Sequence, residues 1–254
     1  MSILEQSAPA PRKVMTLFYL VDTSGSMAGE KLGSVNSAME EAIVDDLPSI
    51  SSANDDAEIK VAIMQFSNGC SWITPASGPL GIGDVIWSDL EPDGMTSMGA
   101  AFTELDAKLS RNAFLQSQTG AYAPVIILIS DGAPTDEWTP ALENLRKNNW
   151  FKHAIKIAIA IGEDADKNVL ACFTGNQETV VSVNDKHTLK MLIRKVSVRA
   201  SEFQSHSKQA ADVQTSVEQD AANIVNEVKT DIAKEQNDSS AGIDVNVDPS
   251  WGKW

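Results

Sequence analysis

Short apolar runs recur along the chain, and between them apolar residues return at every third or fourth position. Met15–Val21, Val125–Ser130, Ala154–Ile161 and Thr179–Val183 are nearly continuous apolar runs. Such runs predict strands buried on both faces, as in the interior of a parallel sheet. Glu58–Phe66 predicts another strand, and Ser67-Asn68-Gly69 a tight turn that brings Cys70–Thr74 back antiparallel at a sheet edge. The helical spacing is clearest at Leu32, Val35, Met39, Ala42, Ile43 and Leu47, with Glu40, Glu41, Asp45 and Asp46 mostly on other faces. Pro48 and the Ser/Asn/Asp cluster after it are expected to end that helix. Further helices are expected around Phe102, Leu105 and Leu109, over Trp138–Asn148, over Lys167–Phe173 and over His187–Arg199. Residues 75–95, rich in Gly and Pro, read as a long loop carrying Trp87 and Leu90. Strands alternating with helices imply right-handed crossovers. The expected fold is α/β: a doubly wound, mostly parallel central sheet with one antiparallel edge strand and helices on both faces.

The pattern divides the chain into three. Residues 1–13 are polar, contain Ala-Pro-Ala-Pro, and read as a flexible N-terminus; residues 14–204 form the compact domain. Residues 205–254 read as an acidic C-terminal tail, partly helical or disordered. Val213, Val217, Ile224, Val228 and Ile232, with Ala221 filling a gap, make a weak amphipathic pattern there. Its alternative reading is a helix that docks on a partner or self-associates. Asp244–Trp254, with two tryptophans, is expected to be disordered.

Composition narrows the function. Of the 254 residues, 43% are hydrophobic, enough for a substantial core, and the formal net charge is −15. An acidic surface repels nucleic acid and anionic membranes, so neither is an expected partner. The same surface raises the local concentration of divalent cations, although it also simply serves solubility. Cys70 and Cys172 are too few for a disulfide framework or a zinc site, and reduced cysteines fit a cytoplasmic protein. The N-terminal stretch lacks the apolar centre of a signal peptide, and no run approaches the ~20 apolar residues of a membrane span.

Chemistry concentrates at the strand ends. Asp22, Ser24 and Ser26 put three oxygen-bearing side chains at alternate positions in a turn that leads into a helix. Asp131 follows the most apolar strand, and Thr96 precedes the second long helix. Each alone reads as an ordinary helix cap or turn residue. In a doubly wound sheet, ligands bind outside the carboxyl ends of the strands, where these five groups would converge. A hard cation such as Mg²⁺ takes oxygen ligands in near-octahedral geometry at about 2.1 Å.

With Asp22-Thr23-Ser24-Gly25-Ser26, Thr96 and Asp131-Gly132 in this order and context, residues 14–204 resemble the von Willebrand factor A (VWA) family and its metal-ion-dependent adhesion site (MIDAS). The segment Ser130–Asp136 looks, more narrowly, like that of TerY-type proteins of bacterial tellurium-resistance clusters. The resemblance implies a Rossmann-like fold and a bound Mg²⁺, or Mn²⁺ or Ca²⁺. It implies direct ligation by the hydroxyls of Ser24 and Ser26, and by Thr96 directly or through water. Asp22 and Asp131 would act mainly through water and by orienting the hydroxyls. The open position would take an Asp or Glu of a protein partner, and the positive N-terminus of the following helix would favour that anion. A tellurite or stress-resistance setting beside a kinase and phosphatase comes from the resemblance alone.

Two other functions remain open from the sequence: an adaptor for an AAA-type ATPase, and a metal-dependent phosphoesterase. Against an enzyme, Ser24 stands where a haloacid-dehalogenase-type phosphatase needs a second Asp. His153, His187 and His206 are poorly placed as a base for Ser24, and no phosphate-binding glycine loop or His-Glu-x-x-His is present. Glu163-Asp164-Ala165-Asp166 could extend an acidic rim at the same sheet edge, or form a loop with a helix cap.

Overall fold

The computed structural model describes residues 12–53, 57–183, 185–206 and 213–241. Residues 1–11 of the expected flexible N-terminus (1–13) and the expected disordered end (244–254) lie outside them, while Lys13 opens the first strand. Seven strands form one mixed sheet: β1 (Lys13–Asp22), β2 (Ala57–Phe66), β3 (Cys70–Trp72), β4 (Leu80–Gly81), β5 (Val125–Ser130), β6 (Ile155–Ile161) and β7 (Val180–Val183). The order is β3-β2-β1-β5-β6-β7, with β4 also pairing β2. β2, β1, β5, β6 and β7 run parallel, whereas β3 and β4 run antiparallel to β2. The doubly wound, mostly parallel sheet with its antiparallel edge is thus as expected, and the two-residue β4 within the long loop is an addition.

The continuous apolar strands are buried because helices cover both faces. On one face, Met15, Leu17, Tyr19 and Val21 of β1 share a core with α1 (Glu30–Glu40), α2 (Leu47–Ala53), α7 (Lys186–His206) and α8 (Val213–Ala241). On the other, Phe18 and Leu20 meet α3 (Met98–Lys108), α4 (Trp138–Leu145), α5 (Asn149–His153) and α6 (Lys167–Thr174). A polar pair lies within the first of these cores: the Tyr19 hydroxyl lies 2.6 Å from Ser197 Oγ, which donates to the Ile193 carbonyl.

Two expectations about helix ends are corrected. The first long helix does not stop at Pro48: a wider, π-type turn over Glu41–Asp46 joins α1 to α2, which continues to Ala53. The widened turn eases the clash a proline ring makes with the preceding turn of a regular helix. Packing likewise does not stop at residue 204. Ala221, Ile224, Val225, Val228 and Ile232 of α8 are buried in the same core as Ile155, Ile157 and Ile159 of β6. The weak apolar pattern is therefore the seam by which α8 covers its own sheet. It is short on large side chains, and its partners lie far away in sequence.

The topology also fixes where a ligand can sit. The connection from β1 to β2 crosses one face, and the one from β2 to β5 crosses the other. β1 and β5 are neighbours, so a crevice opens beyond their carboxyl ends.

Candidate metal centre

β1 ends at Asp22 and β5 at Ser130, side by side at that crevice. Asp22 is wholly buried. Its Oδ1 accepts the Ser24 backbone N–H at 2.8 Å, and its Oδ2 accepts the Ser130 hydroxyl at 2.6 Å. Ser130 Oγ in turn accepts the Gly132 N–H at 2.8 Å, so one serine ties the two strand ends together. Burial raises the Asp22 pKa, hydrogen bonds from Ser130 and Ser24 oppose the rise, and the negative charge of Asp131 adds to it.

The loop after β1 curls as the spacing implied. Ser24 Oγ lies 3.0 Å from Ser26 Oγ, with Ser24 buried and Ser26 exposed. A 3₁₀ turn over Gly25–Met27 intervenes before α1, so the α1 N-terminus begins at Glu30 rather than directly after Ser26.

Thr96, 3% exposed, is placed through its backbone. Its N–H donates to Thr135 Oγ1 at 3.0 Å, and its carbonyl accepts the Thr135 N–H at 2.9 Å. The loop ahead of it touches the first: Gly25 N–H donates to the Gly94 carbonyl at 3.0 Å, and Asp93 N–H to the Thr23 carbonyl at 2.7 Å. Gly94 has φ +62°, and a Cβ there would lie 2.1 Å from the Asn68 side chain. Only glycine lets the loop pass under Asn68, which also accepts the Met95 N–H. Asp136 completes the frame, its two oxygens accepting Gly99 and Ala100 N–H at 3.0 and 3.1 Å and so capping α3.

Asp131 follows β5 and is 3% exposed. Its Oδ2 faces the Lys31 ammonium at 3.5 Å, while its Oδ1 is buried with no hydrogen-bond partner. Lys31 also pairs with Asp164 at 3.0 Å. Burial lowers the Lys31 pKa, but Asp164 and Asp131 outweigh it and hold the ammonium above its ordinary range. The acidic run 163–166 divides its roles: Asp164 binds Lys31, whereas Asp166 caps α6 through the Asn168 and Val169 N–H groups.

Asp22, Ser24, Ser26, Thr96 and Asp131 thus share one sheet edge, on three loops tied to one another. Among the described residues no cluster of three His, Cys, Asp or Glu gathers at a point. The donors here are two carboxylates and three hydroxyls, an oxygen set suited to a hard cation. The unpartnered Asp131 Oδ1 beside a buried Asp22 fits such an ion, because buried acidic oxygens left short of partners are costly. Sequence reasoning missed Ser130, Lys31, Thr135 and Asp136. Ser130 could have been found as a hydroxyl ending an all-apolar strand next to Asp131. Lys31 was detectable as a base in the first turn of a helix, where the helix field disfavours it.

This fold and site define a class. The sequence profile of the von Willebrand factor type A domain matches residues 17–195, and the chain belongs to that family. Solved structures with the same fold include a von Willebrand factor type A protein from Catenulispora acidiphila (18% identity, TM-score 0.53, covering 74% of this chain and 43% of that one). The ArnB paralog VWA2 from Sulfolobus acidocaldarius is similar too (19% identity, TM-score 0.54, 72% and 45% covered). So is the pilus adhesin SpaC from Lactobacillus rhamnosus GG in its open conformation (13% identity, TM-score 0.55, 75% and 30% covered). The chain therefore spans less than half the length of these proteins, and at such identities the likeness is one of fold. No curated protein matches the sequence.

Proposed function

We propose that this chain is a non-enzymatic protein-binding module whose carboxyl-edge site takes a divalent cation and, through it, an acidic side chain of a partner. The observation that carries the reading is the buried, unpartnered Oδ1 of Asp131 next to the buried carboxylate of Asp22. Asp22, Ser24, Ser26, Thr96 and Asp131 would hold the ion, Mg²⁺ first and Mn²⁺ or Ca²⁺ as alternatives. When bound, the ion would supply a positive centre with a position open to an Asp or Glu carboxylate. The protein's part is to hold the donors: Ser130 locks Asp22, the Gly25–Gly94 contact sets the Thr96 loop, and Thr135 fixes Thr96.

A binding role rather than phosphoester or acyl chemistry is supported by the surroundings of Ser24. Its hydroxyl bonds to Ser26 and not to a base, and His153 closes α5 at the far end of β6, bonded to its own helix. Among the described residues no helix is long and apolar enough to cross a membrane. A cytoplasmic setting is supported by two free cysteines, and a tellurite- or stress-resistance setting by the Ser130–Asp136 resemblance alone.

Titration calorimetry with Mg²⁺ and Mn²⁺ tests the site directly. Wild type should bind, and Asp22→Ala and Asp131→Ala should not, while all three melt cooperatively in EDTA. Partner capture that survives both EDTA and Asp131→Ala would refute the metal bridge. Phosphoester turnover lost in Asp22→Ala would replace binding by catalysis. Co-purification of an ATPase instead of a kinase or phosphatase would place the module as an ATPase adaptor.

A further inference from the structure

The Lys31 side chain sets its ammonium against a carboxylate of the candidate metal centre. Its Nζ stands 3.5 Å from Asp131 Oδ2 and 3.0 and 3.2 Å from the two Asp164 oxygens. The position is built rather than incidental. A lysine in the first turn of α1 opposes the helix field. The side chain lies over Gly162 (φ +89°), where a Cβ would sit 2.8 Å from Lys31 Cε and 2.7 Å from an Asp164 oxygen. Residue 162 can therefore carry no side chain without displacing the bridge. Lys31 engages only one oxygen of Asp131 and leaves Oδ1 buried and unpartnered.

We propose that Lys31 sets the charge of the site and thereby its specificity for an acidic partner. Two carboxylates alone would neutralise a divalent ion and hold it firmly whether or not a partner is present. With Lys31 against Asp131, those two carboxylates no longer cancel the charge of a bound divalent ion. The ion is held less tightly by the module alone, and an incoming carboxylate is attracted more strongly. Asp164, whose side chain is 73% exposed, tempers Lys31 from the rim. This inference rests on the metal-bridge reading, and the two fail differently: a wild type that binds no Mn²⁺ sinks the bridge, whereas the variants below judge Lys31.

The test measures Mn²⁺ affinity by electron paramagnetic resonance. Acetate, as the carboxylate probe, is titrated onto the Mn²⁺-loaded protein and followed by water-proton relaxation. Lys31→Met keeps the aliphatic stem and removes the charge. It should tighten Mn²⁺ binding and weaken acetate binding, each by about tenfold, the scale of neighbouring charges near a protein surface. Lys31→Arg should restore both constants to near wild type. Asp164→Asn, at an exposed position, should move both constants the other way by about threefold, consistent with a screened surface charge. A Lys31→Met protein that binds Mn²⁺ more weakly, or in which neither constant changes, overturns the proposal by making Lys31 a structural prop. Should Lys31→Met not fold, Asp164→Asn decides alone: unchanged constants overturn the proposal.

Discussion

The two ends of this parallel sheet each bury charge and treat it in opposite ways. At the amino end, Lys156 of β6 is 8% exposed, yet its ammonium donates to the carbonyls of Phe151 and Ala154 at 3.1 and 2.9 Å. It also lies over the Phe151 ring, and Glu218 of α8 is close enough to support its charge. Those carbonyls belong to the last turn of α5 and its C-cap, where a cation is favoured. At the carboxyl end, Asp22 and Asp131 are equally buried, but one oxygen of Asp131 has no partner. A buried charge hydrogen-bonded by its own chain needs no ligand, although its burial still costs stability. One left short, at the edge where the topology opens a crevice, is consistent with the proposed ligand site.

The largest effect expected on this comparison comes from removing what covers the amino end. Deleting residues 213–254 would uncover β6 and the partners of Ile224, Val225, Val228 and Ile232. At roughly 1.5–3 kcal/mol for each large apolar side chain, the loss approaches the whole stability of an ordinary domain. Circular dichroism should show a molten or unfolded chain; a cooperative, unshifted melt would mean that α8 is dispensable. Limited proteolysis of the full chain should spare Val217–Ile232.

Next in size, Asp131→Ala should abolish divalent binding, a loss of about 100-fold or more, while raising stability in EDTA by about 1 kcal/mol because the unpartnered oxygen is gone. Stability and binding would then move in opposite directions at one residue. A destabilised Asp131→Ala would mean that Asp131 is structural, like Lys156.

The third prediction concerns pH. Burial pulls the Lys156 ammonium down to about 8, against the support of Glu218, while the unfolded chain keeps the ordinary value of 10.5. Between these values the unfolded state binds more protons, so stability rises with pH, by about 1–3 kcal/mol from pH 8 to 10. Above pH 10 the trend reverses. Burial holds the Tyr19 phenol neutral in the folded state, against the hydrogen bond to Ser197, while unfolded tyrosine ionises. Chemical denaturation across pH 7–11 in EDTA should show the maximum; Lys156→Met should flatten its rising limb.

The smallest effect tests the frame around the open end. Gly94→Ala must adopt φ +62° and displace Asn68, costing about 1–2 kcal/mol. It should also weaken Mn²⁺ binding several-fold by shifting Thr96. Unchanged metal affinity would show that Thr96 is not a donor.

Periodicity and spacing determined much of this protein. Apolar runs on strands buried from both sides leave little choice but a parallel sheet with helices on both faces, and the strand–turn–helix at Asp22–Ser26 pointed to the candidate site at the carboxyl edge. These are local signals, written by residues adjacent in sequence. The tertiary structure alone decided that α8 belongs to the domain, because its Val and Ile side chains gain their burial from the distant β6 and α7. It carried the first helix past Pro48 by widening one turn. It also assigned Ser130 to Asp22, Asp136 to α3 and Lys31 to Asp131. Partnerships between residues about forty to a hundred positions apart depend on which strands become neighbours, and that is set by the packing of the whole sheet.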